Sequence, residues 1–253
     1  MRFAGIDIGS RTIKLVVVED NNIVEERLTA SGYEPLQTAT SLLDENHYDR
    51  LVATGYGRHL LEIARDIQTV TEIKAYARGA RAALPDCRTV LDIGGQDMKA
   101  IALSSDGRVL KFEMNERCAA GSGKFLEIMA ETLGYTIEEF GAAAQEGKSV
   151  VSISSVCTVF AESEVTTLLH KGTSREDIAL AVHTSVVTRA VGMLRRVSLA
   201  ESVVFAGGAA RNSCLHFLLE NALGLRVCVP EKPQMLGAYG VALIAQERET
   251  GQS

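Results

Sequence analysis

Apolar residues come first in runs of strand length. Phe3 to Ile8, Ile13 to Val18 and Ile23 to Leu28 follow one another, the last two parted by a turn at Asn21-Asn22. Short apolar runs bounded by turn residues predict buried strands, so the chain opens on a β-meander. A helix is expected over Pro35 to Leu43. A strand is expected over Leu51 to Thr54, ahead of Gly55-Tyr56-Gly57-Arg58, and a second helix over Ile73 to Ala83. The pattern then restarts with Thr89 to Ile93, Met98 to Leu103 and, beyond the turn Asp106-Gly107, Arg108 to Phe112. Later, Val203 to Arg211 echoes Leu51 to Arg58.

The restart has a fixed register. The signature D-I-G-[S/G]-x-x-x-K runs from Asp7 to Lys14 and again from Asp92 to Lys99, an offset of 92 − 7 = 85 residues. The chain therefore reads as an α/β protein built from two copies of one βββαβα unit. The first copy is expected over 1–85, joined by a C-terminal helix over 237–249. The second is expected over 86–236 and carries an insertion at 113–175 that holds Cys118 and Cys157.

Inside the insertion, Phe125, Leu126, Met129 and Leu133 lie at helical spacing, just after the glycine-containing turn that follows Cys118. A β-branched run (Val150, Val151, Ile153, Val156) leads to Cys157 and then to Thr158-Val159-Phe160-Ala161-Glu162. Ser174, with Asp177 three residues on, reads as a helix start. The helix beyond it has an apolar stripe from Ile178 to Leu194 and ends at Arg195-Arg196, which suits the negative C-terminal dipole. It reads as a packing helix.

Composition narrows the classes. A length of 253 residues with 46% hydrophobic content can build one large domain or two ordinary ones. No apolar run is long enough to cross a bilayer, and the start meets its first acid at Asp7, unlike a signal peptide; a cytoplasmic protein is expected. A net charge of −6 argues against a nucleic-acid partner. The five cysteines are an odd number, which argues against a disulfide framework and leaves metal or redox use open.

The chemistry gathers at the two hairpins. Turns carrying Gly9-Ser10 and Gly94-Gly95 let backbone N–H groups approach a polyanion. Asp7 and Asp92 would not touch phosphate; each suits a hydrated Mg²⁺. Gln96 is placed to orient an attacking water. Lys14 and Lys99 read either as phosphate counter-charges or as solvated strand-end lysines. Gly207-Gly208 opens a predicted helix over Ala209 to Leu223 and fits close approach to an adenosine. Cys118 and Cys157 each precede a helix, where the dipole favours a thiolate; the plainer alternative is two small buried hydrophobes. Cys87, Cys214 and Cys228 read as packing residues.

Taken together, Gly5 to Ser10 (GIDIGS), Ala53 to Arg58 (ATGYGR), Asp92 to Asp97 (DIGGQD), Asn115 to Phe125 (NERCAAGSGKF) and Ser154 to Glu164 (SSVCTVFAESE) resemble one family. It is the activators of 2-hydroxyacyl-CoA dehydratases, with the ATPase subunits of benzoyl-CoA reductase as relatives. Both lie within the superfamily of sugar kinases, heat-shock chaperones and actin. The resemblance covers essentially the whole chain. It implies the actin-like ATPase (ribonuclease H-like) fold, with a nucleotide cleft between the two subdomains.

The resemblance further implies an ATP-hydrolysing one-electron donor of anaerobic metabolism, charged by ferredoxin or flavodoxin, that activates a partner iron–sulfur dehydratase or reductase. It implies a homodimer bridged by one [4Fe–4S] cluster on Cys118 and Cys157 of each subunit. ATP or ADP would be held by Gly9, Ser10, Arg11, Thr12, Lys14, Gly94, Gly95, Gln96, Gly207, Gly208, Ala209 and Gln234. Glu162, beside the second cysteine motif, is either a coupling residue or a solvated or helix-capping acid. The competing classes are a small-molecule kinase of the same fold, which would need an acceptor pocket and no cluster, and a nucleotide-switched binding ATPase. The electron acceptor is not named by any motif.

Overall fold

The computed structural model of the protein describes residues 1–115, 121–148, 151–153 and 157–251. The first unit runs β1 (Phe3–Ile8), β2 (Thr12–Glu19), β3 (Asn22–Ala30), α1 (Pro35–Asp44), β4 (Arg50–Thr54), α2 (Arg58–Arg65), β5 (Gln68–Thr69) and α3 (Glu72–Ala83). The second begins with β6 (Thr89–Ile93), β7 (Met98–Leu103) and β8 (Val109–Asn115). The insertion contributes α4 (Gly123–Thr132), α5 (Ile137–Glu146) and α6 (Thr158–His170), and α7 (Arg175–Arg196) follows it. The unit closes with β9 (Val203–Ala206), α8 (Ser213–Leu223), β10 (Val227–Cys228) and α9 (Leu236–Thr250).

The duplication reaches into the strand register. The sheet orders are β3-β2-β1-β4-β5 and, reversed, β8-β7-β6-β9-β10. Asp7 faces Lys14 across β1 and β2, and Asp92 faces Lys99 across β6 and β7. Both copies carry a bulge in the third strand, at Val24 opposite Val17/Val18 and at Leu110 opposite Ala102/Leu103. The parallel pairs β1–β4 and β6–β9 complete each centre. All six residues of β1 and all five of β6 are buried, as continuous apolar runs in a two-sided sheet should be.

Each sheet is covered on both faces. On the first, α1 and α2 cover one side through Leu42, Leu43 and Leu61, and α9 covers the other through Ala238, Val241 and Ala242. On the second, the insertion helices and α7 supply the larger core through Phe125, Met129, Phe140, Val182 and Val186. Each such side chain contributes about 1.5–3 kcal/mol by leaving water. The other face is closed by α3, whose Ile73, Tyr76, Ala77 and Ala80 pack on Val90, Ile101 and Val204. Thus α3 follows the first sheet in the chain and packs on the second, while α9 follows the second and packs on the first.

These two helices cross almost backbone to backbone. A methyl group at Gly240 would lie 1.9 Å from the carbonyl oxygen of Ala75, and one at Gly79 would lie 2.2 Å from that of Leu236. Arg78 Nε also donates to Glu247 Oε1 at 2.5 Å.

The structure corrects several local expectations. Val151 and Ile153 of the β-branched run lie in no regular element, and its other members lie outside the described residues. The helix expected from Ala209 to Leu223 is broken: a 3₁₀ turn (Gly208–Arg211) gives way to α8 at Asn212. There Asn212 is extended, and its side chain accepts the Leu215 N–H at 3.1 Å. Ser174 does cap α7, accepting from the Asp177 N–H at 3.1 Å. That helix is long and apolar enough to span a membrane by composition, but it is a core helix, with Ile178, Val182, Val186 and Leu194 fully buried.

Candidate functional site

The β1–β2 and β6–β7 hairpins turn in the same way. Gly9 N–H donates to Thr12 O at 3.1 Å, and Gly94 N–H to Asp97 O at 3.0 Å. Their tips meet: a methyl at Gly95 would lie 2.4 Å from Arg11 Cγ and 3.7 Å from Ser10 Oγ. Ser10, Arg11 and Gln96 are exposed at this meeting point, with Gly9, Thr12, Lys14, Gly94 and Gly95 half-buried around it. Ser31 steadies the first hairpin, its hydroxyl donating to Gly9 O at 2.8 Å.

Behind each tip lies a buried acid. Asp7 pairs with Lys14 at 3.3 Å. Asp92 Oδ2 accepts from Lys99 at 3.0 Å, and Asp92 Oδ1 is buried with no hydrogen-bond partner. Each acid is overlain by a glycine of the next parallel strand's turn. Gly55 has φ +91° and Gly207 has φ +86°. A methyl at Gly55 would meet Asp7 Oδ1 at 2.5 Å and Ile8 O at 2.6 Å; one at Gly207 would meet Asp92 Oδ1 at 2.6 Å and Ile93 O at 2.3 Å. The matched contacts show why only glycine serves at either place.

Lys99 is neither of the two things expected of it. Its side chain is 2% exposed and enclosed by acids: Glu72 Oε2 at 2.9 Å, Asp92 Oδ2 at 3.0 Å, and Asp97. The Tyr76 ring lies 5.4 Å away. Burial opposes the ammonium, but the three carboxylates outweigh it and raise its pKa. Burial pushes Asp92 up to about 6, against the pull of Lys99, and raises Glu72 as well. Burial and the surrounding carboxylates hold the Tyr76 phenol well above its ordinary value. A lysine locked in this way is not available to a phosphate.

The third motif forms a shelf beside the second acid. Gly207 N–H donates to Pro233 O at 3.0 Å, and a methyl at Gly208 would meet Gln234 Nε2 at 3.3 Å. Ala209 is buried beneath. Gly207, Gly208, Ala209 and Gln234 are thus brought together. A groove of about 550 Å³ between β3 and the Pro230–Tyr239 segment touches neither hairpin.

The cysteines separate by environment. Cys157 is exposed at the N-cap of α6, where it makes no side-chain cap, and Val159 and Phe160 beside it are both 66% exposed. Cys118 lies outside the described residues. Cys87 and Cys214 are buried, and burial pushes both thiols up to about 11. Among the described residues no group of three or more His, Cys, Asp or Glu side chains could hold a metal ion. Glu162 is exposed within α6, whose cap is Cys157, so it is not a capping acid.

Sequence reasoning missed Glu72 and Glu127. Glu72 follows the N-cap Thr71 of α3, and only the fold brings it to Lys99. Glu127 accepts from Arg11 at 2.7 Å and from Lys124 at 3.3 Å. Neither is part of a recognisable local motif.

Two copies of one βββαβα unit, with acid-tipped hairpins meeting across a cleft, define the actin-like, ribonuclease H-like ATPase fold. The chain belongs to the BadF/BadG/BcrA/BcrD ATPase family, whose profile matches residues 4–245. It is 40% identical over 252 residues to the activator of lactoyl-CoA dehydratase of Anaerotignum propionicum, covering 96% of each chain. The crystal structure of component A of Acidaminococcus fermentans (R)-2-hydroxyglutaryl-CoA dehydratase superposes with a TM-score of 0.91 at 37% identity, covering 99% of both chains. The activator of the Clostridium difficile 2-hydroxyisocaproyl-CoA dehydratase, solved with bound ADPNP, gives a TM-score of 0.89 at 36% identity, covering 100% of this chain and 97% of that one.

Proposed function

We propose that this chain binds and hydrolyses ATP in the cleft between its two units and uses it to drive single electrons into a partner iron–sulfur enzyme, such as a 2-hydroxyacyl-CoA dehydratase. A reductase role toward another low-potential double-cluster protein or a benzoyl-CoA-type enzyme uses the same parts. The observation that carries this reading is the exposed Cys157 thiol at a helix N-terminus beside exposed Val159 and Phe160, in a chain whose hairpins face each other.

N–H groups of Ser10 to Thr12 and of Gly95 and Gln96 grip the phosphates, with Gly9 and Gly94, whose own N–H groups close the hairpins, leaving room for close approach and Lys14 half-buried behind them. Gly207, Gly208, Ala209 and Gln234 receive the adenosine. Asp7 and Asp92 orient a hydrated Mg²⁺; the unpartnered Asp92 Oδ1 fits such a site, since a buried carboxylate oxygen calls for a cation or water. Gln96, exposed at the second tip, orients the attacking water. The moving units are 1–85 with helix 237–249, and 86–236 with its insertion 113–175, turning on the α3–α9 crossing.

Cys118 and Cys157 would hold a [4Fe–4S] cluster together with the same pair from a second copy. An exposed thiol at a helix start fits that donor set. When bound, the cluster supplies one-electron redox chemistry, with a ferredoxin or flavodoxin as the electron source. Exposed Val159 and Phe160 give the second copy an apolar surface to cover.

The test is anaerobic purification with iron, sulfide and visible-spectrum assays, alongside size measurement and Cys118→Ala and Cys157→Ala variants. About four irons per two chains, lost in either variant, is the expected result. A colourless protein that cannot be reconstituted with iron and sulfide would sink the electron-donor reading.

A further inference from the structure

The role of Glu127 rests on the nucleotide reading, which places phosphates between the two hairpins. The side chain of Arg11 crosses the ground between those hairpins. The stem of Arg11 lies against Gly95, and its guanidinium reaches Glu127 Oε2 at 2.7 Å on α4. Lys124 Nζ reaches the same oxygen at 3.3 Å.

Helix α4 is in turn fastened to the second hairpin. Gly123 N–H donates to Gly94 O at 2.9 Å, and Lys124 N–H donates to Gly95 O at 2.8 Å. Its first turns are therefore tied to both hairpins, to one by backbone bonds and to the other through Arg11 and Glu127. In the chain α4 directly follows the Cys118 motif, and in the fold it packs against α6, which starts at Cys157.

A guanidinium presents the same planar fork to carboxylate and to phosphate. A triphosphate carries the greater charge, and the Arg11 and Glu127 side chains are 48% and 33% exposed, so water already screens their pairing. We propose that Glu127 is a positioning residue. It holds Arg11 across the cleft in the nucleotide-free protein, and the phosphates of an incoming nucleoside triphosphate compete for that guanidinium. Binding opens the link from the first hairpin to α4, while the backbone bonds to the second hairpin stay.

The test is calorimetric titration of the full chain with Mg-ATP. The proteins compared are the wild type, Glu127→Gln, Arg11→Gln and the double variant, with Glu127→Asp as the charge-preserving control. Glu127→Gln is expected to bind about two- to five-fold tighter, the range an exposed ion pair allows. The gain should vanish in the Arg11→Gln background, and Glu127→Asp should bind as wild type. Hydrogen exchange over α4 in nucleotide-free Glu127→Gln should match that of ATP-bound wild type. A wild type that binds no ATP would overturn the nucleotide reading itself. A wild type that binds, with Glu127→Gln equal or weaker, would overturn the competition alone.

Discussion

Glu72, in the first turn of α3, lies 2.9 Å from the ammonium of Lys99 on β7. The helix that links the two units is thereby pinned at its start to the acid-tipped hairpin of the second unit. Asp92 and Asp97 share the same cation. Removing one partner of a buried ion group strands the others without water or counter-charge.

Lys99→Met should therefore destabilise the protein by about 3–5 kcal/mol. Denaturant unfolding followed by circular dichroism measures it. A loss below about 1 kcal/mol, the scale of an exposed pair, would mean that the three carboxylates find water or protons instead.

The acids give a pH dependence with a definite sign. Burial moves Asp92 from 3.8 to about 6, so the folded state keeps a proton that the unfolded chain releases earlier. The contribution to stability is full below the unfolded value and is lost as pH rises through the folded one. Across that window, from about pH 4 to about pH 6, this costs about 2–3 kcal/mol. Glu72, also raised by burial, acts in the same direction. Wild type minus Asp92→Asn stability, followed by urea unfolding across that range, should fall as pH rises; a flat difference would be the contrary result.

Gly207→Ala should cost more than Gly224→Ala. Both glycines have positive φ, but a methyl at Gly224 meets nothing within 4 Å, whereas at Gly207 it meets Ile93 O at 2.3 Å. The expected losses are about 1 kcal/mol at Gly224 and about 3 kcal/mol or more at Gly207. Thermal melts of the two variants compare them directly, and equal shifts would contradict the close contact.

Thiol labelling of cluster-free protein should separate the cysteines. Cys157 is exposed, while Cys87 and Cys214 are buried with thiols raised to about 11. Cys157→Ser should remove one fast-reacting thiol, whereas Cys87→Ser and Cys214→Ser should change only the count after unfolding. Fast labelling of Cys87 in folded protein would contradict its burial.

The repeated unit was legible because its marks are local. Asp7 to Lys14 and Asp92 to Lys99 each fit in one hairpin, and period, turn and acid recur in register. The resemblance named the family on the same motifs. What was not legible depends on distant parts of the chain meeting. Lys99 looks like a strand-end lysine until α3 brings Glu72 and Tyr76 over it. Nothing local to Arg11 shows that α4 brings Glu127 within 2.7 Å of its guanidinium. The break at Asn212 comes from a cap that apolar periodicity does not record. The two-residue strands β5 and β10 are too short to show a period at all.

The crossing of α3 and α9 has a mechanical consequence. Gly79 and Gly240 let the two main chains touch, with no side chain between them to compress or slide over. Side-chain contacts yield by changing rotamer, whereas main-chain contacts do not. In the proposed motion the joint acts as a rivet: the halves swing about it while their separation at that point stays fixed. Whatever opens the hairpin tips must do so by angle, and the travel is greatest at the parts farthest from the rivet.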